Sequence, residues 1–238
     1  ERLDDLLRSA QAGHAATIRL VGAAGVGKTT LLRALVDRAT DVTVCWLAGS
    51  GGEQHFAYAG LATFVLALRR SDAAAILMAD DHIPSALERI EQVAAGTSIT
   101  PTALGMAVHT VVSRAAIHRP LLLCIDDVQW LDAPSRAALA FALRRLDRDA
   151  VLTAMTERRV GTPVADEFNE MPELTVAPLS ELDARALLRT RSALTDAAVD
   201  VCVRFADGNP LALVAAAEQL STVPGEVLPI TSLTVPER

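Results

Sequence analysis

The stretch that decides the fold lies near the N-terminus, where residues 17–30 read TIRLVGAAGVGKTT. Residues 17–21 are mostly β-branched or apolar, which predicts a short strand. A glycine-rich loop follows this strand at once. The next residues supply the apolar face of a predicted helix, formed by Leu31, Leu32, Leu35 and Val36. A strand, a tight loop and a helix in immediate succession are typical of an α/β protein with a parallel sheet.

The glycine-rich loop has the residue types that bind a phosphate chain. Residues 22–29 fit the P-loop pattern Gly-x4-Gly-Lys-Thr without a gap. Glycines let backbone N–H groups turn inward around phosphate oxygens, and the following helix presents its positive N-terminal end. Lys28 is predicted to reach the β- and γ-phosphates, and the Thr29 hydroxyl to ligate Mg²⁺. We therefore expect the nucleotide to be bound by Gly22, Ala23, Ala24, Gly25, Val26, Gly27, Lys28, Thr29 and Thr30. The alternative is a glycine-rich turn that binds nothing.

The composition singles out the same loop. Among the 22 basic residues of the chain, Lys28 is the single lysine. Heavy use of alanine and arginine suggests a GC-rich coding bias that replaced lysine wherever positive charge alone was sufficient. A compact ammonium group differs from a planar guanidinium in the contacts it makes, so a lysine retained at this position favours a chemical role for Lys28.

The remaining sequence alternates predicted strands and helices as far as residue 178. Further strands are predicted at residues 42–47, 121–125, 151–155 and 173–176. Residues 59–117 are predicted to be wholly helical. Strands that alternate with helices indicate an α/β fold with a parallel sheet. After residue 178 only helices are predicted, at residues 180–190, 195–206 and 210–220.

Two acidic residues, Asp126 and Asp127, end the apolar run of residues 121–125. An acid at the carboxyl end of a parallel strand faces the same crevice as the P-loop. Asp126 is predicted to hold Mg²⁺, directly or through water, because Mg²⁺ keeps several waters and takes few carboxylates. Asp127 is the candidate that orients or deprotonates an attacking water. The alternative for Asp127 is a surface acid that caps the following turn.

An arginine is expected at the same edge of the sheet, because Arg158 follows the predicted strand of residues 151–155. A guanidinium spreads its charge over phosphate oxygens, so an arginine of the pair Arg158 and Arg159 is a candidate sensor of a γ-phosphate. The alternative is a solvated run of charges. Residues 208–213, GNPLAL, separate two predicted helices and by themselves indicate only a helix stop and a helix start.

Composition and charge exclude several classes of protein. With 238 residues, 51% of them hydrophobic and 21% charged, the chain is neither disordered nor of low complexity. Its net charge of −7 makes it a poor electrostatic partner for nucleic acid or an anionic membrane. The longest stretch without a charged residue, 92–113, contains Gly96 and Pro101, so a membrane span is not expected.

The cysteines and histidines indicate no further site. Three cysteines, far apart in the sequence, form neither a disulfide framework nor a zinc pattern, and we expect a cytoplasmic protein. The five histidines are scattered, so no metal other than Mg²⁺ is expected. The chain begins with Glu1 rather than with methionine, and we interpret it as a fragment of a longer protein.

Three segments together resemble a known family: GAAGVGKTT at residues 22–30, LLLCIDDVQWLDAPS at 121–135 and GNPLAL at 208–213. They resemble the signal-transduction ATPases with numerous domains (STAND), an AAA+/NACHT-like class, and within it the large ATP-binding regulators of the LuxR type. The resemblance extends from Leu3 to about Leu220. The signature of an ABC transporter ATPase, similar to LSGGQ, does not occur in the chain.

This resemblance implies a P-loop NTPase with a five-stranded parallel sheet flanked by helices, formed by residues 1–178. One strand would separate the strand of Asp126 from the P-loop strand. Residues 179–222 would form a small all-helical lid, and residues 223–238 a linker to missing C-terminal domains. Pro210 of GNPLAL would lie against the adenine, and Arg158 would match the sensor arginine after the fourth strand.

The resemblance also implies a function, namely an ATP-binding and slowly hydrolysing switch in a transcriptional regulator. The cofactors would be ATP or ADP and Mg²⁺, the last held by Thr29 and Asp126. Catalysis would rest on Lys28, Asp126, Asp127 and Arg158. The ADP form would be closed and inactive, whereas the ATP form would open and self-associate.

Two alternatives remain open at this point. One is a non-catalytic scaffold that holds ADP, and the other is a STAND ATPase of a defence or kinase-linked sensor. The sequence also departs from the family pattern, because a Gly-Arg-Glu-like motif that usually precedes the first helix is missing. No helix-turn-helix pattern is found, so this chain is not expected to bind nucleic acid directly.

Overall fold

The computed structural model describes residues 1–71, 74, 83–158, 166–191 and 194–221. The chain divides into two compact units. The larger unit contains residues 1–21 and 29–174, and the smaller contains residues 22–28 and 175–238. The predicted linker at residues 223–238 lies outside the described residues.

A five-stranded parallel sheet forms the centre of the larger unit, as predicted. The strands are β1 (Ala16–Gly22), β2 (Thr43–Ala48), β3 (Leu121–Asp126), β4 (Val151–Arg158) and β5 (Glu173–Thr175). Their spatial order is β2-β3-β4-β1-β5, so β4 separates the Asp126 strand from the P-loop strand. The register aligns Cys45 of β2 with Leu123 of β3, and Leu123 with Thr153 of β4. The carboxyl ends of β3 and β4 therefore meet at one edge.

The described helices of this unit are α1 (Arg2–Gln11), α2 (Lys28–Arg38), α3 (Ala59–Arg70), α4 (Ile83–Ala94), α5 (Pro101–Ala115) and α6 (Ala133–Leu143). Short 3-10 turns occur at Val128–Trp130 and Asp166–Phe168. Strand β3 is buried along its first five residues, as expected of a parallel strand that is covered on both faces. Helices α5 and α6 pack so closely that a Cβ atom on Gly105 would lie 2.4 Å from the Phe141 ring. None of the described helices is long and apolar enough to span a bilayer.

The described elements differ from the predicted ones at two places. The predicted helical stretch at residues 59–117 is interrupted by residues 95–100 between α4 and α5. Gly96 adopts a φ of +97° there, and the Thr100 side chain caps α5 by accepting a hydrogen bond from the Ala103 N–H. Within the same stretch, residues 72, 73 and 75–82 lie outside the described part. Strand β4 extends to Arg158, beyond the predicted end at residue 155, so Arg158 closes the strand instead of following it.

A buried ion pair joins three strands of the sheet. Arg19 of β1 contacts Glu157 of β4 at 2.7 Å and Glu173 of β5 at 3.3 Å. The Arg19 and Glu157 side chains are only 7% and 8% exposed. The Arg19 Nε also donates to the Met171 carbonyl. Because a buried charge is costly without a partner, this cluster favours one pairing of the three strands.

The smaller unit is helical, as predicted for the last part of the chain. Its described helices are α7 (Glu181–Arg191), α8 (Asp196–Ala206) and α9 (Pro210–Ser221). Their core contains Leu188, Val199, Cys202, Leu213 and Ala216. The glycine-rich loop of residues 22–28 belongs to this unit. The predicted boundaries of a core at 1–178 and a lid at 179–222 stay a prediction.

Candidate functional site

The predicted magnesium ligands lie side by side in the larger unit. Thr29, in the first turn of α2, donates from its hydroxyl to Asp126 Oδ1 at 2.9 Å. Asp126 is the last residue of β3, and the two residues are 97 positions apart in the chain. A hydroxyl and a carboxylate form the hard-oxygen donor set that Mg²⁺ takes, with waters and phosphate oxygens completing its shell. The residues present therefore fit the ion that the sequence predicts.

Thr156 of β4 is a third member of this group that sequence reasoning missed. Its hydroxyl donates to Asp126 Oδ1 at 2.6 Å and accepts a hydrogen bond from the Asp127 N–H at 2.7 Å. The Thr156 side chain is fully buried. Thr156 thus fixes both the Asp126 carboxylate and the backbone that follows it. Threonine is common in strands, so nothing in the local sequence distinguishes this one.

Asp127 is held by two further side chains in a compact cluster. Arg158 donates from Nε to Asp127 Oδ1 at 3.2 Å and from Nη2 to Asp127 Oδ2 at 3.3 Å. Gln129 Nε2 also donates to Asp127 Oδ1, at 2.9 Å, and Gln129 Oε1 accepts from the Arg158 N–H at 3.1 Å. The buried Gln129 amide therefore bridges the ends of β3 and β4. Asp127, which adopts a φ of +53°, makes no side-chain cap to the following turn.

The acid at the end of the DDVQWLD segment is structural. Asp132 is 2% exposed and caps α6 by accepting from the Ser135 N–H at 3.0 Å. The same carboxylate accepts from the N–H groups of Tyr58 and Gly60, at 2.8 Å and 2.9 Å. It therefore fixes the start of α3 as well as that of α6. An aspartate shortly before a proline, as with Asp132 and Pro134, is a helix-start signal in the sequence.

In the smaller unit, the lysine of the P-loop lies against its own loop. The Lys28 ammonium donates to the Gly22 carbonyl at 2.9 Å and to the Ala23 carbonyl at 2.7 Å. Gly25 and Gly27 adopt φ values of +77° and +97°, which only glycine reaches without strain. The loop thus has the left-handed turns that a phosphate-binding loop requires.

The GNPLAL segment also contacts the P-loop, within the same unit. Asn209 Nδ2 donates to the Ala24 carbonyl at 2.9 Å, and the Leu211 N–H donates to the Gly25 carbonyl at 3.2 Å. Pro210 begins α9, as the sequence predicts. Its predicted contact with an adenine stays a prediction. Asn209 was not predicted as a site residue, because its only local signal is the start of a helix.

Cysteine chemistry has no support in the described residues. Burial raises the pKa of the Cys45 thiol to about 12 and shifts the pKa of Cys124 in the same direction. Both thiols therefore stay protonated near neutral pH and are poor nucleophiles. The described residues also contain no group of three histidine, cysteine or acidic side chains that could hold a metal ion. A magnesium ion held by one carboxylate and one hydroxyl does not need such a group.

Comparison with known proteins supports the α/β P-loop fold described above. The AAA ATPase domain family matches residues 1–154. No match was found among curated proteins. Solved structures with a similar fold include three at low identity. A STAND protein with a tetratricopeptide repeat sensor, from Pyrococcus horikoshii, has a TM-score of 0.53 at 16% identity, over 88% of this chain.

The other two structures come from larger assemblies. The structure of Drosophila ORC bound to DNA has a TM-score of 0.56 at 15% identity, over 93% of this chain. A HORMA:CdnC:Trip13 complex from E. coli has a TM-score of 0.56 at 16% identity, over 98% of this chain and 84% of that chain. The chain spans 28% of the STAND protein and 59% of the ORC chain. At these identities the likeness shows the fold alone.

Proposed function

We propose that this chain, which belongs to the AAA ATPase domain family, is the nucleotide-dependent switch of a larger signal-transduction regulator. One observation carries the proposal: the Thr29 hydroxyl lies 2.9 Å from the Asp126 carboxylate. Thr29 directly follows the P-loop lysine, so this pair joins the phosphate-binding sequence to the acid that a bound Mg²⁺ needs. ATP or ADP is the proposed ligand.

The proposed reaction is slow hydrolysis of ATP, in which water attacks the γ-phosphorus in line with the bond to the β–γ bridging oxygen. That bond breaks, ADP leaves, and the water becomes part of the phosphate that is released. When bound, Mg²⁺ would supply positive charge against the negative charge of the phosphates. Thr29 and Asp126 would hold the ion, and Lys28 would contribute positive charge to the phosphates. Asp127 orients the attacking water. Arg158 stabilises charge on the γ-phosphate, as a guanidinium does when it donates to several oxygens.

Slow turnover is supported by the hydrogen bonds that Asp127 already makes. Its two carboxylate oxygens accept from Arg158, and one of them also accepts from Gln129. A carboxylate engaged in this way has fewer lone pairs left to accept a proton from water. Release of Arg158 from Asp127 therefore precedes efficient hydrolysis. A slow reaction suits a switch, because its nucleotide state must outlast the signal.

The proposed type of regulator is inferred from two sequence motifs. GNPLAL at residues 208–213 and DDVQWLD at 126–132 favour a LuxR-type transcriptional regulator, closed with ADP and open and self-associating with ATP. Nucleic-acid binding is assigned to other domains, because this chain carries a net charge of −7. Its cysteines are free thiols, which favours the cytoplasm as its location.

A second candidate is a scaffold that holds ADP without hydrolysing ATP. The pairing of Asp127 with Arg158 favours it, because this pairing leaves the proposed water-orienting residue engaged. The two candidates differ in turnover and not in nucleotide binding. A defence or kinase-linked sensor differs from both only in the domains attached to the switch.

The first experiment identifies the nucleotide in the purified chain and measures its turnover. We expect about one ADP per chain, which is lost in Lys28→Ala because the phosphates lose their cation. Multiple turnovers of Mg-ATP are expected in the wild type and should be abolished in Asp127→Asn. The matched control is Asp37→Asn, an exposed acid on α2. Binding without turnover supports the scaffold, and absence of both binding and turnover contradicts the switch.

A further inference from the structure

Two carbonyl groups of the P-loop accept hydrogen bonds from the segment that begins α9. The carbonyl of Ala24 accepts a hydrogen bond from Asn209 Nδ2 at 2.9 Å, and the carbonyl of Gly25 accepts one from the Leu211 N–H at 3.2 Å. Ala24 and Asn209 are 185 residues apart in the chain. All of these residues belong to the smaller unit. The loop and the helix start are therefore fixed to each other.

These bonds determine where the N–H groups of the loop point. In a trans peptide the carbonyl and the N–H of the next residue point in opposite directions. Because the Ala24 carbonyl points towards Asn209, the Gly25 N–H points away from α9. Because the Gly25 carbonyl likewise points towards the Leu211 N–H, the Val26 N–H also points away from α9. Consecutive N–H groups directed to one side of a loop are what a phosphate oxygen binds.

Asn209 uses both ends of its side-chain amide. While its Nδ2 donates to the loop, its Oδ1 accepts from the N–H groups of Leu211 and Ala212, at 3.0 Å and 3.3 Å. The second set of bonds is an ordinary helix N-cap, which aspartate or serine also provides. The donation to Ala24 is different, because neither an aspartate nor the shorter serine side chain reproduces it. The two roles of Asn209 can therefore be separated by substitution.

The approach of the two segments is close enough to require glycine at residue 25. A Cβ atom on Gly25 would lie 2.6 Å from Asn209 Oδ1 and 2.9 Å from Leu211 Cβ. Its φ of +77° is also unfavourable for any residue with a side chain. The contact with Asn209 thus adds a second reason for glycine at this position of the loop.

We propose that Asn209 is a positioning residue for phosphate binding. Its side-chain amide orients the Ala24–Gly25 peptide so that the loop N–H groups face the nucleotide phosphates. It also links the loop to the start of α9, because the same side chain caps that helix. This inference rests on the proposed function, since it names how the P-loop is held in its binding conformation.

The test compares Asn209→Ser and Asn209→Asp with the wild type. Both variants retain an N-cap acceptor for α9, and neither restores the donor to Ala24. We expect the Kd for Mg-ADP to rise about 3- to 10-fold in both variants, which corresponds to the loss of one hydrogen bond. The melting temperature without nucleotide should change little. Asn209→Ala, which loses the cap as well, should show both effects.

A second measurement does not depend on nucleotide binding. Hydrogen exchange of the Leu211 amide, which donates to the Gly25 carbonyl at 3.2 Å, should be faster in Asn209→Ser than in the wild type, because the Ala24–Gly25 segment is then less restrained. Unchanged exchange together with an unchanged Kd in both variants would show that Asn209 is only a helix cap, which overturns the proposal. Weaker binding in Asn209→Asp alone would assign the loss to added charge and also overturn it. A wild-type chain that binds no ADP contradicts the proposed function, whereas the exchange result still tests Asn209.

Discussion

Replacing Thr156 by valine tests whether its hydroxyl holds the acidic edge of the sheet together. Valine keeps the shape of the side chain and has a methyl group in place of the hydroxyl. The Asp126 carboxylate then loses a donor at 2.6 Å, and the Asp127 N–H loses its acceptor at 2.7 Å. Both losses occur at a fully buried position, where water does not readily replace the missing partner.

The expected loss of stability is estimated from these two hydrogen bonds. A hydrogen bond to a charged group contributes about 1.5–3 kcal/mol, and a buried donor left without a partner costs about 1–3 kcal/mol. Because the two effects share one side chain and the site relaxes, we expect Thr156→Val to lower the free energy of unfolding by about 2–4 kcal/mol. For a chain of this size the melting temperature falls by about 4–15 °C.

Thr153 on the same strand provides a matched control. Its hydroxyl is buried and has no hydrogen-bond partner within the described part of the chain. Thr153→Val therefore removes an unsatisfied polar group, and we expect no loss or a gain of up to about 1 kcal/mol. Urea unfolding, followed by circular dichroism, gives both free energies. Equal effects of the two substitutions would refute the reasoning, since burial and shape are the same and only the hydrogen bonds differ.

Three further predictions concern stability and binding. Arg19→Met leaves the buried Glu157 carboxylate unpaired, so the free energy of unfolding in urea should fall by about 3–5 kcal/mol. Glu173→Gln is the control, because the Glu173 side chain is 32% exposed, and its free energy of unfolding should fall by less than about 1 kcal/mol. Gly25→Ala places a Cβ atom 2.6 Å from an amide oxygen, so ADP affinity measured by calorimetry should fall at least about tenfold. The Cys45 thiol, whose pKa is raised by burial from 9.0 to about 12, should resist thiol reagents at pH 8 until the chain unfolds. The unfolded chain loses the Cys45 proton at a lower pH than the folded chain does. The free energy of unfolding should therefore fall as the pH rises from 9 towards 12, and urea titrations across that range measure this fall.

The local parts of the candidate site could be predicted because each is a continuous segment. The P-loop needs a strand, glycines at fixed positions and a helix, all within residues 16–38, and the structure has those elements in that order. The acid after a continuous apolar strand is local in the same way. The proximity of Thr29 to Asp126 then follows from the rule that parallel strands carry their sites at the carboxyl edge.

The residues that complete the site were not predictable from local patterns. Thr156 contacts Asp126 only because β3 and β4 are neighbours in a register that aligns their carboxyl ends. Gln129 lies in a 3-10 turn, and its amide bonds to a backbone N–H 29 positions further along the chain. In both cases the residue type is ordinary for its element, and its function depends on a partner from another strand.

The sequence by itself determined the α/β fold and the P-loop of this protein, since strand, loop and helix signals depend on neighbouring residues. The tertiary structure alone decided what restrains the functional groups. It pairs Asp127 with Arg158, holds Asp126 through Thr156 within the larger unit, and fixes Ala24 to Asn209 within the smaller one. Such hydrogen bonds join residues from about 30 to 185 positions apart. They form only where packing brings their donors and acceptors within about 3 Å, a distance that no local pattern encodes.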